Sequence, residues 1–202
     1  MSLQVEVFYS FQSPYSYLAL ESIYNLEKKY DIDLLWQPFS AKASGQQAPS
    51  GMTVLPEKFS YLIEDTKRFA TKLNLPLEFP ESWPNDEFDP GRVSRGALVA
   101  NDLGVLMEYN YKVFQCWWGE GRDPNTDEFT AELCEDLDIE LGDYISKSSA
   151  SEIRQRLKAI YHRGRKMGVF DTPTIVINQE RFFGIDKVPY VDEYLKSLNL
   201  AI

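Results

Sequence analysis

Ser13 stands where a strand-like stretch meets a helix-like one, and its hydroxyl is the first group in the chain placed to do chemistry. Val5, Val7, Tyr9 and Phe11 alternate with period two, which predicts a strand with one buried face. Ser13 and Pro14 then form a helix start, Ser as N-cap and Pro at the first helical position. Leu20, Ile23, Tyr24, Leu26 and Tyr30 follow at helical spacings. The hydroxyl is thereby delivered to a helix N-terminus, where free backbone N–H groups and the positive end of the dipole favour an anion. Capping alone is the simpler reading of a Ser-Pro pair, and this segment taken by itself favours the cap.

Other residue types narrow the chemistry by what they lack. Cys116 and Cys134 are the two cysteines, with no C-x-x-C between them, so a reducing compartment and buried helix thiols are expected rather than a redox pair. One histidine and no clustered cysteines leave no zinc site of the usual nitrogen and sulfur kind. That histidine, His162, lies in Tyr-His-Arg-Gly-Arg-Lys near a helix C-terminus and reads as a surface residue. A formal charge of −10 argues against a nucleic-acid partner. No apolar run approaches membrane-spanning length, and Met-Ser-Leu-Gln-Val-Glu is no signal peptide, so a cytoplasmic protein is expected.

The elements that must position Ser13 can be read in order. Ile32, Leu34 and Trp36 alternate again and close a β-α-β unit, which implies parallel strands and a right-handed crossover. A loop rich in Ser, Gly, Gln, Ala and Pro follows from Ser40 to Pro56. From Glu57 the period is helical, with Phe59, Leu62, Ile63, Phe69, Ala70 and Leu73 on one face. Further helices are expected near Gly91–Leu103, Leu106–Trp118, after a Thr126 cap, and near Leu141–Ser146. Glu152 to Met167 is amphipathic and stops at Gly168. Thr174 to Asn178 then reads as a strand, Gln179-Glu180 as a turn, Arg181 to Gly184 as a second strand, and Val188 to Leu198 as a closing helix. Pro173 stands at the entry of the Ile175 strand, a position tolerated at an edge or a first residue. The order is that of an α/β thioredoxin-like fold with an inserted all-helical domain. Residues 1–54 and 149–202 would form the thioredoxin-like domain, and 55–148 the insertion.

Phe11-Gln12-Ser13-Pro14-Tyr15-Ser16-Tyr17-Leu18-Ala19 resembles the amino-terminal motif of the 2-hydroxychromene-2-carboxylate isomerase family. The likeness continues through Leu55-Pro56-Glu57-Lys58-Phe59-Ser60-Tyr61, Trp117-Trp118-Gly119-Glu120-Gly121-Arg122-Asp123, Gly168-Val169-Phe170-Asp171-Thr172-Pro173-Thr174 and Phe182-Phe183-Gly184-Ile185-Asp186-Lys187. That family and kappa-class glutathione transferase share a thioredoxin frame with a DsbA-like helical insertion. The resemblance implies glutathione as cofactor, with Ser13 as the catalytic hydroxyl donating to its thiolate. It makes Pro173 a cis-proline and sets the Thr172 backbone against the cysteinyl amide. Asp186 would take the γ-glutamyl ammonium, while Lys58 and Gln46 or Gln47 lie where further contacts fall. It also implies a small aromatic substrate and a homodimer. Ser13 and Ser16 occupy the place of the dithiol pair, so disulfide exchange has no thiolate to proceed through. Departures from the family pattern are Ile185 in place of Ser, Lys187 in place of Arg, Asp171 in place of Gly, Thr172 in place of an apolar residue, and no Leu-Gly-Gly after Phe39.

The leading functional expectation is a glutathione-dependent isomerase acting by reversible thiolate addition. The alternative on the same site is a kappa-like transferase that releases a stable conjugate. A third expectation is a DsbA-like binding module that pairs an extended peptide at the Pro173 edge without chemistry.

Overall fold

The computed structural model describes residues 2–45, 56–80 and 89–202. Strand β1 (Leu3–Tyr9) leads into helix α1 (Pro14–Glu27) and strand β2 (Ile32–Pro38). A run of helices follows: α2 (Pro56–Leu73), α3 (Pro90–Asp102), α4 (Leu106–Phe114), a π-helical turn (Gln115–Gly119), α5 (Asp127–Asp136), α6 (Leu141–Ser149) and α7 (Ser151–Lys166). The chain then returns as β3 (Thr174–Ile177), β4 (Glu180–Phe183), a short 3-10 turn (Ile185–Lys187) and α8 (Val188–Ser197). The sheet order is β2-β1-β3-β4, with β1 parallel to β2 and antiparallel to β3, and β3 antiparallel to β4.

The structure corrects the expected single buried face of β1. Val5, Val7 and Tyr9 enter the main core, while Phe8 is equally buried on the opposite face against Phe39, Tyr161, Val169 and Val176. β1 is an interior strand covered on both sides, so alternation of polarity is not required of it. The strand also ends at Tyr9, and Phe11 lies in the following turn, where it remains buried. Helix α7 covers the Phe8 face closely. A Cβ at Gly164 would stand 2.7 Å from the Phe39 ring and 2.9 Å from Phe8, so glycine permits that approach.

The main core runs without interruption from the strands into the inserted helices. A buried hydrogen-bond chain joins the two: Tyr9 OH donates to Asn110 Oδ1 at 3.0 Å, and Asn110 Nδ2 donates to Tyr24 OH at 3.2 Å. A regular helix would turn only one of two adjacent tryptophans fully inward, and the π-helical turn changes that. Its extra residue per turn shifts the helix face, so that Trp117 and Trp118 are both buried instead of one of them. The hairpin turn is also shifted by one residue, to Asn178 and Gln179, whose φ of 49° and 72° suit a two-residue primed turn.

Candidate active site

Ser13 is the N-cap of α1, with extended backbone (φ −96°, ψ 113°). Its Oγ accepts from the Ser16 N–H at 3.2 Å and donates to the Thr172 carbonyl at 3.0 Å. The cap and the cross-chain contact therefore coexist, and one lone pair of the hydroxyl is left. Ser16 is buried and its Oγ receives the Ser10 N–H at 3.3 Å, which fixes the loop ahead of Ser13. Trp118 reinforces that loop, donating Nε1–H to the Phe11 carbonyl at 2.8 Å.

The other wall of the site comes from the turn before β3. The Thr172–Pro173 peptide is cis. Pro173 immediately precedes an interior strand, and its carbonyl accepts from the Gly184 N–H at 2.9 Å, so the edge-strand alternative does not apply. Asp171 folds back on this turn. Its Oδ1 accepts the Thr172 N–H at 2.8 Å, and its carbonyl accepts Thr174 Oγ1–H at 2.7 Å. Desolvation raises the Asp171 carboxyl above its ordinary range, against the lowering effects of the Thr172 N–H and of the Lys58 charge.

Between these walls lies a cavity of about 330 Å³. Ser13, Asp171, Thr172 and Arg165 are among its polar lining, with Ser10, Gln12 and Ser40, and Tyr15, Phe39, Tyr161, Phe170 and Phe183 supply much of its apolar surface. Phe39 stacks on Tyr161 with ring centroids 5.1 Å apart, and Phe170 leans on Phe183 at 4.7 Å. Tyr15 OH donates to Asp65 Oδ2 at 2.8 Å. Desolvation, that bond and the neighbouring charges of Asp65 and Asp186 push its phenol well above the usual value, so it stays neutral. A pocket with aromatic walls and a few convergent polar groups suits a flat organic ligand.

Ser13, Thr172 and Pro173 come together as the motifs suggested. Asp186 stands off the cavity, its carboxylate bonded to the Lys187 ammonium, although its charge is felt at Tyr15. Lys58 reaches the site only through its field at Asp171. Gln46 and Gln47 lie outside the described residues. His162 is exposed, as expected. Cys116 and Cys134 are buried free thiols, and burial pushes Cys116 up to about 12. Among the described residues no group of three or more His, Cys, Asp or Glu could hold a metal ion. None of the described helices is long and apolar enough to cross a membrane.

Sequence reasoning gave no role to Asp171, Tyr15, Arg165, Phe170 or Phe183. Asp171 was marked as a departure from a family pattern, and that was the available signal. Tyr15, Phe170 and Phe183 stand inside the motifs quoted above, but an aromatic residue on a strand, in a turn or on a helix reads equally well as core.

A four-stranded sheet with a cis-proline turn facing a capped helix N-terminus, interrupted by helices, defines a thioredoxin-fold protein with a helical insertion. The model of the DSBA-like thioredoxin domain matches residues 4–196, and the chain belongs to that family. It is 26% identical over 203 residues to 2-hydroxychromene-2-carboxylate isomerase of Sphingobium xenophagum, covering 96% of this chain and 99% of the relative. Glutathione S-transferase kappa 1 of Homo sapiens is 24% identical over 199 residues, covering 91% and 87%. The solved structure of a 2-hydroxychromene-2-carboxylate isomerase superposes with a TM-score of 0.81 at 24% identity, covering 97% of this chain and 96% of that one.

Proposed function

We propose that this chain is a glutathione-dependent isomerase acting on a small aromatic substrate of the hydroxychromene-carboxylate type. One observation carries the reading: a serine hydroxyl at a helix N-terminus bonds the carbonyl of the cis Thr172–Pro173 turn on the lining of an aromatic-walled cavity, with no protein thiol beside it. The near full-length similarity to proteins named as isomerases supports the same choice.

The residues present fit glutathione. Ser13 and the first turn of α1 offer a donor and a positive dipole end for a thiolate. The Thr172 backbone offers a peptide-like edge, and Asp186 offers a carboxylate for an ammonium group. When bound, glutathione would supply the sulfur nucleophile that adds reversibly to an electron-poor double bond and is regenerated. The protein's part is then to hold charge and orientation. Ser13 turns its hydroxyl proton from the Thr172 carbonyl towards the sulfur. The α1 N-terminus favours the ionised thiol, whose ordinary pKa is about 8.5. Phe39, Tyr161, Phe170 and Phe183 hold the substrate ring flat and limit water. The strand-addition reading is weaker, because the aromatic-walled cavity suits a small flat ligand better than an extended peptide.

Calorimetric titration with reduced glutathione, followed by product analysis with a chromene carboxylate, tests the reading. Micromolar to millimolar binding and an isomer of unchanged mass are expected. A stable glutathione adduct would make the chain a transferase, and absence of binding would remove glutathione from the account.

A further inference from the structure

Asp171 holds the backbone donor that the proposed pairing with glutathione requires. Its Oδ1 lies 2.8 Å from the Thr172 nitrogen, and the Thr172 carbonyl receives the Ser13 hydroxyl at 3.0 Å. The site is thus closed on itself, with the Thr172 edge satisfied in both directions. Asp171 and Ser13 line the same cavity.

Resting on the glutathione reading above, we propose that Asp171 is an internal competitor for the Thr172 edge and sets which thiols this site accepts. A ligand carbonyl must displace a carboxylate from the Thr172 N–H, exchanging a charge-assisted hydrogen bond for a neutral one. The displaced carboxylate keeps a counter-charge in Lys58 of α2, whose field already reaches it. Arg165 of α7 lines the same cavity, and its Nη1 donates to the Val169 carbonyl at 3.1 Å. A negative charge in the cavity also opposes a thiolate there. Small thiols that make no backbone pairing lose less to Asp171 than peptide thiols such as glutathione do. The residue therefore weakens resting occupancy by glutathione and narrows its advantage over simpler thiols.

Two substitutions separate blocking from charge. Asp171→Ala removes both the acceptor and the charge, whereas Asp171→Asn keeps an acceptor for the Thr172 N–H. Glutathione affinity, measured by calorimetry, should rise about tenfold in Asp171→Ala and only a few-fold in Asp171→Asn. Affinity for 2-mercaptoethanol should change less than affinity for glutathione in the Ala variant. Equal gains in both variants, or no gain in either while wild type binds, would overturn the proposal. A ligand-free measurement keeps the two readings apart. Hydrogen exchange of the Thr172 amide should be about tenfold or more slower in wild type and Asp171→Asn than in Asp171→Ala. If glutathione binds none of the three proteins, the glutathione reading fails, and equal Thr172 exchange rates would overturn the Asp171 contact independently.

Discussion

Two hollows among the described residues differ in their chemistry, and the larger of the two is the poorer. The cavity beside Cys116 measures about 390 Å³ and lies between α1, α4, the π-helical turn and α5, against about 330 Å³ for the Ser13 pocket. Most of its charged groups are spent on one another: Lys112 pairs with Asp136, and Arg122 pairs with Glu120 and Glu132. Its one thiol donates towards the Arg122 carbonyl at 3.6 Å and is held protonated. The Ser13 pocket contains no thiol, yet a helix N-terminus, a hydroxyl, a carboxylate and a peptide edge converge on it. Convergence of groups that can change partner, more than volume or the presence of sulfur, separates a reactive site from a packing gap.

The sharpest test of that contrast is the reactivity of Cys116. With its thiol pushed up to about 12, the thiolate fraction at pH 8 is about three orders of magnitude below that of an ordinary cysteine. A more basic thiolate is also a better nucleophile, so alkylation of the native protein by iodoacetamide should be slower than alkylation of the unfolded chain by about a hundredfold. Mass analysis of the modified peptide at timed intervals gives the rate. Rapid native labelling of Cys116 would make the larger cavity a candidate reactive site after all.

Ser13→Ala probes the other half of the comparison. As an N-cap alone the side chain contributes about 1 kcal/mol of stability, and its loss would leave chemistry intact. As a donor to a thiolate it contributes on the order of 1.5–3 kcal/mol, so turnover at neutral pH should fall about ten- to a hundred-fold. The sign in pH follows. A reaction that needs the thiolate slows as pH falls below the bound thiol's pKa, and removing the donor moves that limb to higher pH. Thiolate absorbance of the glutathione complex against pH, for both proteins, measures it. Coincident titrations would return Ser13 to a helix cap.

These two regions were not equally legible in the sequence. Ser13 could be found because strand alternation, a Ser-Pro helix start and a quoted motif all met at one residue. Cys116 and Cys134 could be set aside for lack of C-x-x-C spacing. What stayed hidden depends on contacts between distant segments. The Thr172 carbonyl meets Ser13 only once β3 pairs with β1. Phe8 broke the expected alternation because α7 covers the second face of the sheet. Asp171 was visible as an odd residue, but its grip on the Thr172 N–H is a matter of local backbone geometry that composition does not report.

Asp186 tests how far the reactive region extends. Its carboxylate is bonded to Lys187 and largely solvent-facing, so any hold on a ligand ammonium is screened. Asp186→Ala should weaken glutathione binding roughly fivefold, about 1 kcal/mol, less than a buried charge-assisted bond would lose. The thiol pKa should stay where it is, because a charge at the γ-glutamyl end lies far from the sulfur. Calorimetry reports the first quantity and the absorbance titration the second. Unchanged affinity would confine the site to Ser13 and the Thr172 turn.

The smallest expected effect on chemistry comes from removing both thiols. Cys116→Ala and Cys134→Ala each delete a buried sulfur from the helical part of the core, and each should cost about 1 kcal/mol of stability. The loss should appear as a lower midpoint of denaturant unfolding. Neither residue lines the Ser13 pocket, and the groups that do belong to α1, α2, α7, the segments after β1 and β2, and the turn around β3 and β4. Turnover of the double variant should therefore remain within a few-fold of wild type, and addition of a reductant should change neither protein. The comparison is strict because the two quantities part company: stability falls while kcat holds. A collapse of kcat in a double variant whose circular dichroism and glutathione affinity are those of wild type would mean that a protein sulfur takes part in the reaction. The contrast between the two hollows would then have to be drawn the other way.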